Sequence, residues 1–403
     1  MANTKMEFSM PLANGRHFLA IPGPSVMPDE VLRAMHRPAT NIYEGPLIDM
    51  TITLYDDLKR IARTEAEAMI VISNGHGGWE AVISNTLDEG DKVLALCSGR
   101  FGEGWAEKAR NLGADPELLH APARRGVDPQ AVEDRLRADA NHEIKAITAV
   151  QIDTATGVWN DIEAIRAAID AAGHPALFMV DCIASLGCTP YEMDKWGVDV
   201  TVAAAQKGLM TPPGLSFVFA NDKALACRQT MKRGSSYWDW NPRANPDVYY
   251  KRFCGTAPIH LLYALREALD MILAEGLSAV WARHRTLAEA VQAAVTHWGA
   301  AGPLELNITD PAARSDSVTT ILGGGIDIEE MRRIAEHNLD VTLGIGLGFE
   351  PGVAFRIGHM GHVNAPMILG TLGVIELALD HIGAPHAKGG VEAAIRAMAG
   401  NVA

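Results

Sequence analysis

The sequence lacks a long apolar segment and an excess of basic residues. No run approaches the ~18 residues that a membrane span needs, and the N-terminal stretch, MANTKMEFSMPLANGRH, has no apolar core of signal-peptide length. The formal net charge of −14 argues against nucleic acid or an anionic membrane as a partner, because both favour a basic surface. We therefore expect a cytoplasmic protein. A small anionic substrate is compatible with this charge, since a local arginine can hold it.

Paired cysteines and clustered metal ligands are also missing. The cysteines are an odd number without a CxxC pair, so we expect reduced thiols rather than a disulfide framework or a zinc site. They are Cys97, Cys182, Cys188, Cys227 and Cys254. His359 and His362 have no Glu or further His at ligand spacing, and we predict no metal.

Length and pattern predict an α/β protein of two domains. The chain has 403 residues, of which 48% are hydrophobic and 21% charged, as in ordinary globular proteins. Apolar strands alternate with helices, and polar residues follow the strands, which predicts a mostly parallel sheet with one working edge. We divide the chain into an N-terminal polar arm (1–20), a large domain (21–275) and a smaller α/β domain (276–403). The smaller domain includes short strands at 317–322 and 353–357.

Two apolar segments end in charged residues. The segment 199–214, DVTVAAAQKGLMTPPG, is typical of a buried strand that ends near Lys207, and the segment 176–187, ALFMVDCIASLG, ends its apolar run at Asp181. Either residue alone is more often a capping or ion-paired group. Together they are what a pyridoxal phosphate enzyme requires, because a lysine forms the Schiff base and a carboxylate keeps the pyridine nitrogen protonated.

A glycine-rich turn precedes a helix in the segment 73–87, SNGHGGWEAVISNTL. The apolar spacing predicts that this helix begins near Gly78, directly after Asn74, Gly75 and His76. Such a turn exposes backbone N–H groups at the positive end of a helix, which is an anion site. Its spacing is neither that of a Walker loop nor that of a dinucleotide loop, so we interpret it as a candidate cup for a cofactor phosphate.

Further candidates lie on loops and on one short strand. Phe101 follows a strand and can stack on a planar cofactor, although such a residue alone is more often part of the core. Arg356, in FRIGHMGH, lies on an apolar strand where it either binds a carboxylate or forms an internal salt bridge. Residues 21–28, IPGPSVMP, form a substrate wall or a plain linker. The aromatic-rich segment 228–252 is irregular and is functional or at an interface.

These motifs resemble one family. PGPS, GGWEAVISNTL, TATGV, AAAQKGLMTPPGL, LLYALREAL and FRIGHMG are similar to motifs of class V aminotransferases of pyridoxal-phosphate fold type I. Within that class they resemble the alanine/serine–glyoxylate aminotransferases, and the serine–glyoxylate branch most. The resemblance runs from about Ile21 to the C-terminal helices. It implies a mostly parallel, seven-stranded sheet in a large domain and a smaller C-terminal domain.

The resemblance also implies roles for individual residues. Lys207 and Asp181 would be catalytic, with pyridoxal 5'-phosphate as the cofactor. The other cofactor-binding positions are Asn74, Gly75 and His76 at the phosphate, Gln206, the stacking Phe101, Thr154 near the phenolic oxygen, and Thr256 from a second subunit. The substrate-binding positions are Arg356, Pro24, Ser25 and Tyr43. A tyrosine of the family that accompanies Thr256 is Phe253 here.

The implied activity is a ping-pong transamination from a small amino donor, serine or alanine, to a small 2-oxo acid such as glyoxylate. Departures at Gln151-Ile152-Asp153 and Asn41-Ile42-Tyr43 leave an aspartate–glyoxylate or a pyridoxamine–pyruvate pair as alternatives. For the latter pair, Leu347 stands where an arginine is expected. A cysteine desulfurase is disfavoured because no cysteine follows Cys254, and a non-catalytic ligand-binding protein is disfavoured by Lys207, Asp181 and Arg356. The family further implies a homodimer with shared active sites.

Overall fold

The computed structural model describes residues 12–232 and 234–401, so most of the predicted N-terminal arm lies outside the described residues. The described strands are β1 (Phe18–Ala20), β2 (Glu67–Ser73), β3 (Lys92–Cys97), β4 (Asp115–His120), β5 (Ile144–Val150), β6 (Ile152–Asp153), β7 (Val158–Trp159), β8 (Leu177–Asp181), β9 (Val200–Ala204), β10 (Gly214–Ala220), β11 (Glu305–Leu306), β12 (Val318–Leu322), β13 (Val341–Ile345) and β14 (Ala354–Gly358).

The described helices follow the same order. They are α1 (Asp29–Met35), α2 (Pro46–Ala62), α3 (Gly75–Thr86), α4 (Arg100–Asn111), α5 (Pro129–Ala138), α6 (Ile162–Ala172), α7 (Asp222–Thr230), α8 (Asn241–Ala244), α9 (Ile259–Glu275), α10 (Leu277–Gly299), α11 (Ile328–Leu339), α12 (Ala365–His381) and α13 (Gly390–Met398). Within the part of the chain that the structure describes, none of these helices is both long and apolar enough to cross a bilayer.

The larger sheet confirms the predicted fold class. Its seven strands have the order β2-β10-β9-β8-β5-β3-β4. The pairs from β9 to β4 are parallel, and β10 is antiparallel to both of its neighbours. The carboxyl ends of the parallel strands therefore meet at one edge, where α/β proteins bind ligands. β8 and β9 are neighbours in register, with Asp181 opposite Val202.

Helices cover both faces of this sheet, which explains its continuous apolar strands. In β8, Phe178 and Val180 belong to one buried cluster, and Leu177 and Met179 belong to the cluster on the other face. A strand that is buried on both sides has no polar alternation. Helix α3 packs on the second face through residues such as Trp79, so the start of α3 lies beside the working edge.

A second sheet is formed mainly by the C-terminal part of the chain. Its order is β1-β13-β14-β12-β11, in which only the β1–β13 pair is parallel. Residues 18–20, assigned from sequence to a polar arm, are thus an edge strand of this sheet. The division near residue 275 remains a prediction. Val280 packs in the core of the larger sheet, whereas Leu287 and later residues of α10 pack in that of the smaller sheet.

Several local predictions need correction. Helix α3 begins at Gly75 rather than near Gly78, because the Asn74 side chain caps it by accepting the N–H groups of His76 and Gly77. Phe101 lies in the first turn of α4 rather than on a loop. The edge strand β4 was not predicted; it is mostly exposed and contains Pro116, so it has no apolar pattern.

Candidate active site

A cavity of about 260 Å³ lies at the carboxyl edge of the larger sheet. Eight residues singled out from the sequence line it: Asn74, Gly75, His76, Phe101, Thr154, Asp181, Gln206 and Lys207. They come from segments that are far apart in the chain, and the parallel strands bring them together. The cavity therefore contains an amine, a carboxylate, an amide and a helix N-terminus.

The turn after β9 and the 21–28 loop together fix Lys207. The Nζ of Lys207 donates a hydrogen bond to the carbonyl of Pro22. Ser25 holds the backbone of the same turn, because its Oγ donates to the Lys207 carbonyl at 2.7 Å and its N–H donates to the Gln206 carbonyl at 2.9 Å. Burial lowers the pKa of Lys207 to about 8, and the positive charge of Arg356 acts in the same direction. The amine is therefore much closer to its neutral, nucleophilic form than an exposed lysine.

Glycine is required beside this amine. Gly23 has a φ of +97°, and a Cβ at this position would lie 2.5 Å from Lys207 Nζ and 2.6 Å from Cε. A side chain here would be strained in its backbone and would overlap the lysine. This close approach explains the glycine of the PGPS motif.

Asp181 is the buried acid of the cavity. Its Oδ1 accepts the N–H of Ile183 at 2.6 Å, and its Oδ2 accepts Nε1–H of Trp79 at 2.8 Å. Burial raises the pKa of Asp181 to about 7, while these two hydrogen bonds act in the opposite direction. A carboxylate with this environment is ready to accept a hydrogen bond from a cationic ring nitrogen, which would stabilise its charge.

The first turn of α3 supplies backbone donors to the cavity. Asn74 Oδ1 accepts the N–H of His76 at 3.1 Å and that of Gly77 at 3.4 Å. The Asn74 side chain thus already accepts these two N–H groups, and the attraction for an anion comes from the helix dipole, which is positive at this end. Gln206 lies in the same cavity lining, and its buried Oε1 has no hydrogen-bond partner among the described residues. An unpaired buried polar atom is costly unless a ligand satisfies it.

Arg356 approaches the cavity from the smaller sheet. Its Nε donates to the carbonyl of Ile345 at 2.6 Å, and Nη1 donates to the carbonyl of Thr154 at 2.8 Å. Burial lowers the pKa of Arg356 to about 10, and the negative charge of Asp153 opposes this shift. Arg356 has no ion pair with a carboxylate among residues 12–232 and 234–401, so the structure does not support the alternative of an internal salt bridge. The guanidinium is held by neutral carbonyls and keeps its charge for a ligand.

The cavity lining does not include Arg356, which touches it only through the Thr154 carbonyl, nor the remaining candidates. Ser25 is buried and contacts the backbone of Lys207, whereas the neighbouring Pro24 is exposed. Tyr43 is 75% exposed, and its N–H donates to Asn41 within the 41–45 loop. Thr256 is also exposed, just before α9. Their functional roles remain predictions.

His359 is a core residue. Its Nδ1 contacts the carbonyl of Asp316 at 2.8 Å, and its Nε2 contacts Thr319 Oγ1 at 2.9 Å. Burial lowers the pKa of His359 to about 4, so the ring is neutral. The described residues contain no group of three or more His, Cys, Asp and Glu side chains that could hold a metal ion.

Sequence reasoning missed several residues of the site. The cavity is also lined by Trp79, Val150, Ile152, Ile183 and Ala184. Asp153 lies behind it, where Oδ2 accepts the N–H of Phe101 at 2.8 Å and so caps α4 from another segment. A tryptophan directly after a glycine-rich turn and an acid at the end of a strand were the available signals. The sequence alone does not show that Trp79 contacts Asp181 or that Asp153 contacts the N–H of Phe101.

Comparisons with known proteins identify the family. Residues 18–347 match the family model described as Aminotransferase class-V. The chain is 40% identical over 374 residues to a serine–glyoxylate aminotransferase of Methylorubrum extorquens, covering 91% of each chain. It is 38% identical over 380 residues to an L-aspartate–glyoxylate aminotransferase of Paracoccus denitrificans, covering 93% of this chain and 94% of that protein. The crystal structure of pyridoxamine–pyruvate aminotransferase from Mesorhizobium loti matches with a TM-score of 0.88 and 28% identity, covering 96% of this chain and 97% of the other.

The chain therefore belongs to the class-V aminotransferase family. It is a transaminase that moves an amino group between amino acids and 2-oxo acids, and its cofactor is pyridoxal 5'-phosphate. The resemblance inferred from sequence motifs, the fold class and the reaction class are confirmed.

The cavity fits this cofactor chemically. The positive N-terminal end of α3, with Gly75 and His76 in the cavity lining, suits a phosphate. The unpaired Oε1 of Gln206 is an acceptor, so it suits a donor group of a ligand. The amine of Lys207 suits an aldehyde, and the carboxyl of Asp181, which has no cationic hydrogen-bond donor, suits a protonated ring nitrogen. These groups line one cavity, so an aldehyde, a protonated ring nitrogen and a phosphate would each have a suitable residue nearby.

Proposed function

We propose that this cavity binds pyridoxal 5'-phosphate through the residues predicted from the sequence. Asn74, Gly75 and His76 would hold the phosphate together with the amide of Gln206. Phe101 would pack against the ring, and Thr154 would hydrogen-bond the phenolic oxygen. The observation that carries the proposal is that Lys207 and Asp181 follow or end two adjacent parallel strands and line the same cavity.

When bound, the cofactor supplies an aldehyde that takes up the amino group and a ring that accepts electrons. Lys207 would hold the aldehyde, and its Nζ, when released, would carry the proton from the α-carbon of the amino donor. A lysine whose pKa is about 8 suits this task because its neutral form is accessible near neutral pH. Asp181 would accept a hydrogen bond from the ring nitrogen and so keep a proton there.

Arg356 would bind the α-carboxylate of both substrates. Two of its nitrogens are fixed by the carbonyls of Ile345 and Thr154, which orients the guanidinium without neutralising it. A planar donor group held in this way suits a carboxylate. Both half-reactions of a ping-pong mechanism would use the same arginine.

Serine or alanine is the amino donor that we propose, with glyoxylate as the acceptor. The support is the 40% identity to the serine–glyoxylate relative, over nearly the whole chain. The aspartate–glyoxylate relative is almost as similar, at 38%, so aspartate is the second candidate.

A half-reaction screen tests the proposed donor. The cofactor-loaded protein is mixed in turn with serine, alanine, aspartate and pyridoxamine, and the visible absorbance of the bound cofactor is followed. We expect serine or alanine to convert the cofactor fastest, and glyoxylate to reverse the change. Rapid conversion by aspartate alone would establish the second candidate, and no conversion by any amino acid would contradict the proposed site.

The proposed assembly is a homodimer in which Thr256 of one chain completes the phosphate site of the other. Thr256 does not line the cavity of its own chain. The preceding segment also exposes apolar side chains, with Tyr237 38%, Val248 41% and Tyr250 40% exposed. Light scattering during gel filtration tests the assembly. An active species with the monomer mass of 43.2 kDa would contradict it.

A cytoplasmic location is also proposed. All five cysteines are free thiols, which agrees with a reducing compartment. Recovery of the native protein in an exported fraction after cell fractionation would contradict this location.

A further inference from the structure

Neutral donors hold the acid at the end of β8. Asp181 is 3% exposed, and each of its oxygens accepts one hydrogen bond. The donor to Oδ1 is the N–H of Ile183, a neighbour in the chain, and the donor to Oδ2 is the indole of Trp79, which comes from a different element. The indole is therefore the one long-range restraint among the two hydrogen bonds that orient this carboxylate.

Trp79 is itself fixed by packing. It is 1% exposed, and its ring stacks on that of Trp105 with centres 5.9 Å apart and an interplanar angle of 10°. The rings of Phe101 and His76 contact it edge-on, at 6.4 and 4.7 Å between centres. A donor that cannot move restrains its acceptor, so the direction of Asp181 Oδ2 depends on this aromatic cluster.

Helix α3 links the two ends of the cavity. Its first turn contains the candidate phosphate donors, and Trp79 lies on the following turn of the same helix. One rigid element thus supplies the backbone N–H groups at one end and the indole N–H that holds the acid at the other. A shift of the acid relative to the phosphate site would require this helix or its aromatic packing to move.

We propose that Trp79 is a positioning residue that orients the Asp181 carboxylate toward the ring nitrogen of the cofactor and favours its ionised form. This rests on the proposed role of Asp181. The indole N–H binds an oxygen that carries negative charge, and a hydrogen bond to the charged form stabilises that form. Without it, the acid would be a weaker and less well directed partner for a protonated ring nitrogen.

The test compares two cofactors in matched variants. Trp79→Phe keeps an aromatic ring and removes the N–H. Trp240→Phe is the control, because Trp240 is also buried, at 0% exposure, and its Nε1 has no hydrogen-bond partner in the described part of the chain. Dissociation constants of the cofactor-free proteins are measured by equilibrium dialysis with pyridoxal 5'-phosphate. They are also measured with its 1-deaza analogue, in which a C–H group replaces the ring nitrogen.

We expect wild type and Trp240→Phe to bind pyridoxal 5'-phosphate more tightly than the analogue. Trp79→Phe should bind pyridoxal 5'-phosphate about tenfold more weakly than wild type, the effect of one lost hydrogen bond to a charged group. Its affinity for the analogue should be unchanged. If Trp79→Phe does not fold, a protein with 3-benzothienylalanine at position 79, which keeps the bicyclic ring and replaces N–H with sulfur, serves instead.

The outcomes separate the two levels of the proposal. A wild-type protein that binds both cofactors equally would overturn the role of Asp181 and with it that of Trp79. A wild-type preference for pyridoxal 5'-phosphate that the Trp79 variant retains in full would overturn only the role of Trp79. If Trp79→Phe bound both cofactors more weakly by the same factor, the role of Trp79 would also be overturned, because the indole would then be only part of the cavity wall.

Discussion

The two cations at the cavity differ in the charge state that burial leaves them, although burial lowers the pKa of both by a similar amount. On the larger-sheet side, burial lowers the pKa of Lys207 to about 8, and its amine contacts the carbonyl of Pro22. On the smaller-sheet side, burial lowers the pKa of Arg356 from 12.5 to about 10, and two backbone carbonyls accept hydrogen bonds from its guanidinium. The lysine can lose its proton near neutral pH, whereas the arginine stays charged.

Because of this difference, Lys207 is suited to proton transfer and Arg356 is suited to binding an anionic group. The ammonium of a lysine has a lower ordinary pKa than the guanidinium of an arginine, so the same shift brings only the lysine close to neutral pH. The larger sheet therefore carries the residues suited to chemistry, and the smaller sheet carries the residue suited to binding a carboxylate. Variants that remove one function and keep the other test this division.

The largest effect should come from Lys207→Ala. It removes the only amine that lines the cavity among the described residues, and we expect transamination to fall by at least about 10²–10⁴-fold, the contribution of a positioned acid–base group. Steady-state turnover is measured, with circular dichroism to verify folding. The control is Lys195→Ala, since the Lys195 side chain is 64% exposed and pairs with Glu163. Turnover within a few-fold of wild type would contradict the role of Lys207.

Arg356→Gln should have a smaller effect, of a different kind. We expect kcat/KM to fall by about 10–100-fold for amino and oxo acids alike, because one or two charge-assisted hydrogen bonds to a carboxylate are lost. Most of the change should appear in KM. Arg332→Gln is the control, since Arg332 donates to the Leu343 carbonyl on the neighbouring strand and, unlike Arg356, pairs with a carboxylate, that of Glu329. Equal losses in both variants would contradict a specific role of Arg356.

The sequence was most informative about the larger-sheet side. Strands buried on both faces are continuous apolar runs, so the ends of β8 and β9 were visible and placed Asp181 and Lys207 correctly at the edge of the sheet. The strands of the smaller sheet near 317–322 and 353–357 were also predicted within one residue of β12 and β14. In these cases the local pattern and the fold agree.

Contacts between distant segments could not be predicted. The capping of α4 by Asp153, the hydrogen bond from Trp79 to Asp181 and the pairing of β1 with β13 all join residues that are remote in the chain. The start of α3 was misplaced because two side-chain hydrogen bonds of Asn74 outweigh the low helix propensity of the glycines that follow.

Alanine substitution of two glycines tests whether the loop that contains Pro22 and Gly23 positions Lys207. Gly23 and Gly45 both have a φ of +97°, but a Cβ would overlap Lys207 only at position 23, and nothing lies within 4 Å at position 45. Both alanine variants should lose about 1–3 kcal/mol of stability from backbone strain. Only Gly23→Ala should also lose activity, by about tenfold, the effect of a misplaced reacting group. Urea denaturation and turnover are measured for both, and similar turnover in the two variants would contradict a close contact with the lysine.

The last prediction concerns the pH dependence of stability in the cofactor-free protein. The pKa of Lys207 is lowered to about 8 from its ordinary value of 10.5. Between these values the unfolded chain binds a proton that the folded chain lacks, so the free energy of unfolding should rise with pH in this window. The pKa of Asp181 is raised to about 7 from 3.8, so its contribution should fall as pH rises between those values. Lys207 and Asp181 therefore change the free energy of unfolding in opposite directions, and they do so in separate pH ranges.

Difference curves isolate each slope from the titration of other groups. Free energies of unfolding are measured by urea denaturation from pH 4 to about 10.5, the span of the two windows, for wild type, Lys207→Met and Asp181→Asn. The wild type should gain stability relative to Lys207→Met only above pH 8, because methionine keeps the chain length and removes the proton. Relative to Asp181→Asn, the stability of the wild type should fall as the pH rises toward 7 and should stay constant above pH 7. Lys195→Met, at an exposed position, should be parallel to wild type throughout. A Lys207 curve that is also parallel would mean that the amine keeps its ordinary pKa, and the contrast between the two cations at the cavity would then disappear.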